Sequence, residues 1–256
     1  MSYFKYKGYN IFFEEIGAGT PLFLLHGNTA SSKMFDSVID LYRNDYRLIL
    51  VDFLGHGKSD RLNEFPADLW YEQAMQVIQL IEISDYGRVN IIGTSGGALV
   101  ALNVALERSD LINKVVADSF EGEKSLDIIA EFISDERRES KSHKEGRAFW
   151  EYCHGNDWES IVDSDTASII EHNKYIKYFF HKDLSHLCVP VMFSASLEDE
   201  FAQIADIDFK KTYNEMLAKV SSGKIHLFQT GSHPAMLTNA VEFRNIVKEF
   251  FDSPFI

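Results

Sequence analysis

The chain has 256 residues, a length that suits one α/β domain carrying an insertion. It carries 39 acidic and 25 basic residues, for a formal net charge of −14, and such an acidic surface repels nucleic-acid phosphates and anionic lipid. Composition therefore excludes nucleic acid as an expected partner. No apolar run is long enough to span a bilayer and residues 1–7 lack the apolar core of a secretory signal, so we expect a cytoplasmic protein with no membrane partner.

Apolar runs alternate with segments of helical periodicity along most of the chain. The predicted strands are two short strands within residues 3–16, then residues 21–25, 46–51, 88–92, 114–117, 189–195 and 224–229. The predicted helices are residues 31–41, 68–83, 98–106, 204–220 and 235–251. Because almost continuously apolar strands are buried on both faces, this order indicates an α/β fold with a mostly parallel, eight-stranded sheet flanked by helices.

Residues 119–187, called the insertion below, break this alternation. They show no strand pattern and are rich in charged and aromatic residues with helical character. An all-helical segment between two core strands is typical of a cap. The predicted organisation is therefore a core domain of residues 1–118 and 188–256 with a helical cap at 119–187. We expect most aromatic side chains of the insertion to form its own core, and the pocket that it covers to be modest and apolar.

The most informative motif is Gly-Thr-Ser-Gly-Gly at residues 93–97, between a predicted strand and a predicted helix. In that context it is the pattern of a nucleophile elbow. Gly93 and Gly97 let the neighbouring backbone pass without a Cβ clash. The tight turn presents Ser95 at the N-terminus of a helix, where free N–H groups favour negative charge. The motif predicts Ser95 as a nucleophile.

A serine hydroxyl needs a base, and the base needs an orienting acid. His233 is the predicted base, because it lies on the Gly- and Pro-flanked loop between the last strand and the last helix. Asp199 is the predicted acid, since it comes just after a predicted strand, although Glu198 and Glu200 beside it could also point inward. Asp118 is the alternative acid, because it too ends a predicted strand.

The negative charge that forms on a reacting carbonyl oxygen needs hydrogen-bond donors. The backbone N–H groups of Gly96 and Asn28 are the predicted oxyanion hole, with His26 as a structural residue beneath it. The glycine-rich residues 52–59 are interpreted as a structural loop near the pocket entrance. Phosphate binding there is disfavoured, since the chain has neither a GxGxxG pattern nor a P-loop.

Metal and cofactor chemistry are not expected. His181 and His186 lie five residues apart, and the HExxH pattern is absent, so the sequence offers no recognisable set of zinc ligands. No cofactor motif is present. Cys153 and Cys188 have no CxxC spacing, and both are predicted to be small buried residues.

With these residues assembled, the chain resembles the α/β-hydrolase superfamily over residues 3–118 and 189–251. The resemblance rests on His-Gly-Asn at 26–28, Asp-x-x-Gly-His-Gly-x-Ser at 52–59, Gly-x-Ser-x-Gly at 93–97, and Asp199 and His233 in the family's chain order. It implies the α/β-hydrolase fold, with the insertion in the place of the family's variable cap. Ser196 stands where the family usually has Gly at the start of the acid loop.

The serine nucleophile narrows the functional choice. Haloalkane dehalogenases and epoxide hydrolases use Asp at this position, and proline iminopeptidases resemble Gly-Gly-Ser-Trp-Gly, whereas Gly96 follows Ser95 here. The resemblance implies a serine hydrolase of the capped, esterase-like branch, a carboxylesterase acting on a small ester-like molecule. The same triad serves carbon–carbon bond hydrolases, thioesterases, acyltransferases and cofactor-free haloperoxidases, and the scaffold can also serve as a non-catalytic receptor.

Overall fold

A computed structural model describes residues 2–254, so Met1, Phe255 and Ile256, at the ends of the predicted core domain, lie outside the described residues. Its strands are β1 (Ser2–Tyr6), β2 (Tyr9–Ile16), β3 (Thr20–Leu25), β4 (Tyr46–Val51), β5 (Val89–Thr94), β6 (Ile112–Asp118), β7 (Val191–Ser196) and β8 (Gly223–Phe228). They form one sheet in the order β1-β2-β4-β3-β5-β6-β7-β8. The pairs β1–β2 and β2–β4 are antiparallel and the others are parallel, which confirms the predicted mostly parallel sheet.

Helices cover both faces of the sheet. They are α1 (Ile39–Tyr42), α2 (Leu69–Ile83), α3 (Gly96–Glu107), α4 (Asp127–Ser142), α5 (Lys144–His154), α6 (Trp158–Tyr175), α7 (Glu200–Ile204), α8 (Phe209–Leu217), α9 (Ala235–Thr238) and α10 (Ala240–Asp252). Consecutive residues of a strand point to opposite faces. Phe23 accordingly packs with the apolar side chains of α2 and α3, and Leu24 packs with those of α10. Because both faces of the inner strands are buried, the sequences of these strands are almost continuously apolar.

Three predicted helices are wrong in their extent. Residues 31–41 form a 3-10 turn at Ser32–Phe35 and the short α1, not one helix. Of the predicted helix 204–220, only residue 204, the last of α7, and residues 209–217, which form α8, are helical. The chain is interrupted between them because Asp206 takes a left-handed φ of 54° and Asp208 caps a new helix through Lys211 N–H. The predicted helix 235–251 is divided at Asn239, whose side-chain amide donates to Ser196 Oγ on β7.

The insertion lies between β6 and β7 and contains α4, α5 and α6. Its aromatic residues are distributed differently from the prediction. Trp150 and Trp158 stack on each other in a small apolar cluster, but Tyr175 and Tyr178 are exposed. The division into core and cap domains stays a prediction. Of the two cysteines, Cys153 is buried as predicted, whereas Cys188 is exposed and the prediction for it is wrong.

The topology decides where the site can form. The parallel strands β3, β5, β6, β7 and β8 all end at the same edge of the sheet, since they run in one direction. Ligand sites of α/β folds lie outside these carboxyl ends. Each loop that carries a predicted site residue follows one of these strands. Among residues 2–254, no helix combines the length and apolarity needed to cross a membrane.

Candidate active site

Ser95 sits at the turn between β5 and α3 in a strained backbone conformation, with φ 55° and ψ −129°. The turn is tight because its glycines allow it. A Cβ at Gly93 would lie 2.0 Å from the carbonyl oxygen of Gly97, and a Cβ at Gly97 would lie 2.1 Å from the carbonyl oxygen of Leu25. Both distances are impossible for a real side chain, so the backbone geometry requires glycine at both positions. The strand, turn and helix are those expected of a nucleophile elbow.

The structure brings Ser95, His233 and Asp199 into one hydrogen-bonded chain. His233 Nε2 lies 2.9 Å from Ser95 Oγ, and His233 Nδ1 lies 2.8 Å from Asp199 Oδ2. An ionised carboxylate only accepts hydrogen bonds, so the proton of the neutral imidazole is assigned to Nδ1. Nε2 is then free to accept the Ser95 hydroxyl proton. This arrangement can activate a serine hydroxyl.

Asp199 is fully buried at the end of the loop after β7. Its Oδ1 accepts the N–H of Ala202 at 3.1 Å, so the carboxylate also caps α7. Its neighbour Glu200 does not contact the imidazole through a hydrogen bond, but its Oε2 accepts the backbone N–H of His233 at 3.0 Å. Ser196, which stands where the α/β-hydrolase pattern usually has Gly, is the last residue of β7 and is buried.

Two opposing effects act on the pKa of His233. Burial acts to lower it, but the hydrogen bond and the negative charge of Asp199 outweigh burial, and the net pKa is raised above 6.5. The imidazolium that forms during proton transfer is therefore stabilised by its surroundings.

Asp118, the alternative acid, lies behind the site. It is fully buried at the end of β6, where its carboxylate accepts hydrogen bonds from Thr94, Ser194 and Met236 N–H at 2.8–3.0 Å. Burial raises the pKa of Asp118 to about 6 despite these donors. The carboxylate that hydrogen-bonds the imidazole is Asp199, not Asp118.

The two predicted oxyanion donors lie beside Ser95. Gly96 is the first residue of α3, so its N–H is one of the free amides of a helix N-terminus. The loop after β3 passes close to the nucleophile, since a Cβ at Gly27 would lie 2.9 Å from Ser95 Cβ. Asn28 packs against the elbow, and a Cβ at Gly96 would lie 2.0 Å from Asn28 Oδ1. Asn28 and Gly96 both line the cavity at Ser95.

Residues 52–59 form a buried structural loop, but they do not line the cavity at Ser95. Asp52 accepts the N–H groups of Ser32 and Lys58, and His26 Nε2 accepts Phe53 N–H at 3.2 Å. His26 is buried, and this burial holds its pKa well below 6.5. The predicted place of the loop, near the pocket entrance, stays a prediction.

A cavity of about 490 Å³ opens above Ser95, within the range typical of small-molecule sites. Helices of the insertion supply part of its apolar wall through Ile129, Phe132, Ile133, Phe149, Trp150 and Ile169. The core contributes Trp70 and Phe201. Glu121 adds a carboxyl group, and burial raises its pKa to about 7.

Sequence reasoning missed Glu121 and the buried Asp165 on α6, whose contacts are described below. Glu121 follows β6 by three residues, so its position after a core strand is a signal that could have found it. In the described part of the chain, no group of three or more His, Cys, Asp or Glu side chains is arranged to hold a metal ion.

Residues 20–145 match the family model described as the α/β-hydrolase fold. A 2-hydroxy-6-oxo-6-(2'-aminophenyl)hexa-2,4-dienoic acid hydrolase from Metapseudomonas resinovorans is 32% identical over 109 residues, covering 40% of this chain and 36% of that protein. Haloalkane dehalogenase 2 from Mycobacterium tuberculosis is 29% identical over 106 residues, covering 41% of this chain and 37% of that protein. The matched part thus spans less than two fifths of each relative's length.

Solved structures resemble the whole chain. An esterase from Exiguobacterium antarcticum has 20% sequence identity and a TM-score of 0.72, over 96% of this chain and 97% of that one. The enol-lactonase from Burkholderia xenovorans has 15% identity and a TM-score of 0.76, over 98% and 100%. At these identities the likeness shows the fold alone, which is the α/β-hydrolase fold. The family match over residues 20–145 agrees with this fold. The chain belongs to the α/β-hydrolase superfamily, as the motifs predicted.

Proposed function

We propose that this protein is a serine hydrolase that cleaves a small carboxylic ester, or a similar acyl bond, through an acyl-enzyme. The observation that carries the proposal is the hydrogen-bonded chain from Asp199 through His233 to Ser95 Oγ, with Asn28 and Gly96 lining the same cavity. A nucleophile, a base, an orienting acid and oxyanion donors are the parts that acyl transfer needs. In this proposal the insertion is a cap that helps to select the substrate.

The first half of the reaction forms the acyl-enzyme. His233 Nε2 takes the proton of Ser95 as Oγ bonds to the carbonyl carbon, and the carbonyl oxygen becomes an oxyanion facing the two amides. One such donor contributes about 3–4 kcal/mol to the transition state. The oxyanion then collapses, the bond to the alcohol oxygen breaks, and His233 gives its proton to the leaving alcohol.

The second half releases the acid. A water molecule gives a proton to His233 Nε2 as its oxygen attacks the acyl carbon. The second tetrahedral intermediate collapses, the bond to Ser95 Oγ breaks, and Oγ regains its proton from His233. The carboxylic acid leaves, and Asp199 keeps the imidazole in one orientation throughout.

The first prediction is that Ser95→Ala removes turnover, because it deletes the atom that forms the bond. We expect kcat on the best p-nitrophenyl ester of a short-chain panel to fall by on the order of 10⁶-fold, with an unchanged circular dichroism spectrum and thermal midpoint. A fluorophosphonate probe should label the wild-type protein at Ser95 and leave the variant unlabelled. Near-normal esterase activity in Ser95→Ala would contradict the proposal.

A second candidate function is hydrolysis of a carbon–carbon bond in a vinylogous diketone. The observation that favours it is the sequence similarity to the hexadienoic acid hydrolase of Metapseudomonas resinovorans. The two candidates separate in one experiment, because turnover of a vinylogous diketone without turnover of any ester in the panel would favour the second. A folded protein that neither turns over these substrates nor reacts with the fluorophosphonate would favour the third alternative, a binding protein on this scaffold.

A further inference from the structure

A buried carboxylate of the insertion contacts the loop that carries the predicted oxyanion donor Asn28. Asp165 lies on α6 with 0% exposure. Its Oδ1 accepts Asn28 Nδ2 at 3.0 Å, and its Oδ2 accepts Thr29 N–H at 3.1 Å and His56 Nε2–H at 3.1 Å. Asn28 and Asp165 are 137 residues apart in the sequence, so tertiary structure alone brings them together.

The burial of Asp165 would be costly without these donors. Burial acts to raise its pKa, but the hydrogen bonds from His56, Thr29 and Asn28 outweigh burial and hold the pKa below its usual range. The carboxylate is therefore ionised at neutral pH and binds its donors through charge-assisted hydrogen bonds, which are shorter and stronger than neutral ones.

The contacts of Asp165 determine how the peptide between Asn28 and Thr29 is oriented. Asn28 is held at both ends of its side chain, by Asp165 at Nδ2 and by Trp70 Nε1–H at Oδ1, 3.2 Å away. Thr29 has a left-handed φ of 55°, which a β-branched residue adopts only when its surroundings impose it. Asp165 binds its N–H, and His154 Nε2–H on α5 binds its carbonyl oxygen at 2.9 Å.

We propose that Asp165 is a positioning residue: a carboxylate of the insertion that fixes the Asn28 loop so that the Asn28 N–H faces the oxyanion. The insertion would then complete the oxyanion hole in addition to covering the cavity. Asp165 does not line the cavity and acts only through Asn28 and Thr29. This inference rests on the proposed function, because it assigns a role in stabilising the oxyanion of that reaction.

Asp165→Asn is the sharpest test, because it keeps the size of the side chain and removes one acceptor. The new NH₂ group must face a donor, either Asn28 NH₂ or Thr29 N–H. If the new NH₂ group faces Asn28 NH₂, two donors meet. Rotation of the Asn28 side-chain amide would relieve this contact, but Asn28 Oδ1 would then lose its hydrogen bond from Trp70 Nε1–H. The matched control is Ser168→Ala, on the same helix. It removes another buried hydrogen bond between α6 and the core, from Ser168 Oγ to the Pro66 carbonyl at 2.7 Å, without touching the Asn28 loop.

The readouts separate positioning from a merely structural role. We expect Asp165→Asn to lower kcat about ten- to a hundred-fold and to change KM less than three-fold. Here kcat is expressed per active site, with the sites counted by titration with fluorophosphonate. In a trifluoromethyl ketone, the carbonyl carbon bonds to Ser95 Oγ and the carbonyl oxygen becomes an oxyanion. We expect the inhibition constant of this ketone to rise by the same factor by which kcat/KM falls. The matching methyl ketone, which binds without forming that oxyanion, should keep its inhibition constant. Ser168→Ala should keep all four values within two-fold.

A folded Asp165→Asn protein with kcat and trifluoromethyl ketone affinity within two-fold of wild type would overturn the inference, and so would a change in KM alone. If Asp165→Asn does not fold, Asn28→Ala decides, since it cuts the side-chain link to Asp165 but keeps the backbone N–H. We expect it to reduce kcat and trifluoromethyl ketone affinity in parallel, and unchanged values would refute the positioning role. Absence of activity and of labelling in the wild-type protein would instead remove the proposed function itself.

Discussion

At the scale of single residues, the protonation of His233 controls the proposed chemistry. The base must be neutral to accept the Ser95 proton, and Asp199 raises its pKa above 6.5. The proposed activity is therefore present above this raised pKa and is lost as pH falls through it. The same negative charge that raises the pKa also orients the ring, so one substitution tests both effects.

The second prediction concerns Asp199→Asn. Loss of the charge should shift the acidic limb of kcat/KM to lower pH, because the protonated imidazole loses its partner. The maximum rate should fall by on the order of 10⁴-fold, because Asn can hold the wrong tautomer of His233. The measurement is kcat/KM between pH 5 and pH 9 for the wild type and the variant.

Two carboxylates near His233 serve as controls for this titration. Asp118→Asn should leave the rate within ten-fold, since Asp118 does not hydrogen-bond the imidazole; a larger loss there than in Asp199→Asn would contradict the assignment of the acid. Glu121 has a pKa of about 7 and lines the cavity, so Glu121→Gln shows whether its titration contributes to the same limb.

The sequence located Ser95, His233 and Asp199 because each lies in a local pattern: an elbow, a Gly- and Pro-flanked loop, and a loop after an apolar strand. Asp165 has no such pattern. It lies inside a helix of 18 residues, and its partners Asn28 and His56 are far from it in the chain. Only the packing of α6 against the core shows that this carboxylate is buried.

At the scale of elements, the turn between β5 and α3 tolerates no added atom. A Cβ at Gly93 would meet backbone on one side at 2.0 Å, and backbone cannot turn away as a flexible side chain can. A Cβ at Gly87, which precedes β5, would meet nothing within 4 Å, although its φ is 65°. The two positions therefore separate steric overlap from backbone strain.

The third prediction follows from this contrast. Gly93→Ala should lower the free energy of unfolding by about 3 kcal/mol or more, because β5 and α3 must move apart. Gly87→Ala should cost only about 1 kcal/mol, the strain of a left-handed residue with open space around it. Urea unfolding followed by tryptophan fluorescence measures both. If the two variants lost the same free energy of unfolding, the turn between β5 and α3 would accommodate a Cβ at Gly93 more easily than its geometry indicates.

Apolar patterning predicted the strands of this sheet better than the ends of its helices. The inner strands are buried on both faces, so their apolar runs mark them clearly. The helices around α7, α8 and α9 end where polar side chains bind the backbone or a neighbouring strand, as Asp208 and Asn239 do. These interruptions do not disturb apolar periodicity, and periodicity alone therefore joins the segments.

At the scale of the whole molecule, both the core and the insertion bury histidines. His26, His154 and His172 are buried, and burial lowers the pKa of each. For His154 the pKa falls to about 4. Its Nδ1 accepts Gly57 N–H at 3.0 Å and its Nε2–H donates to Thr29, so protonation would break the first of these bonds.

The fourth prediction is a loss of stability in mild acid. The unfolded chain binds a proton at His154 near pH 6.5 and the folded chain only near pH 4, so stability is full above pH 6.5 and falls as pH drops through this window. The contribution of this one residue is on the order of 3 kcal/mol. Urea unfolding at pH 7.5 and pH 4.5 should show a smaller loss in His154→Asn than in wild type.

A matched control separates this effect from general acid sensitivity. His143→Asn alters an exposed histidine and should lose as much stability as wild type between the two pH values. Asp118 and Glu121, with raised pKa values, act in the opposite direction, so the informative quantity is the difference between variants. The same pH dependence in wild type and His154→Asn would rule out His154 as a source of acid lability.

Thr29 is bonded by both α5 and α6, through its carbonyl oxygen and its N–H. This has a practical consequence for engineering. A chimera that keeps the sheet but takes residues 119–187 from another superfamily member would leave Thr29 without both hydrogen-bond partners. To avoid this, the new segment must supply an acceptor at position 165 and an N–H donor at position 154. Shuffled libraries aimed at new specificity should therefore hold these two positions fixed and recombine around them.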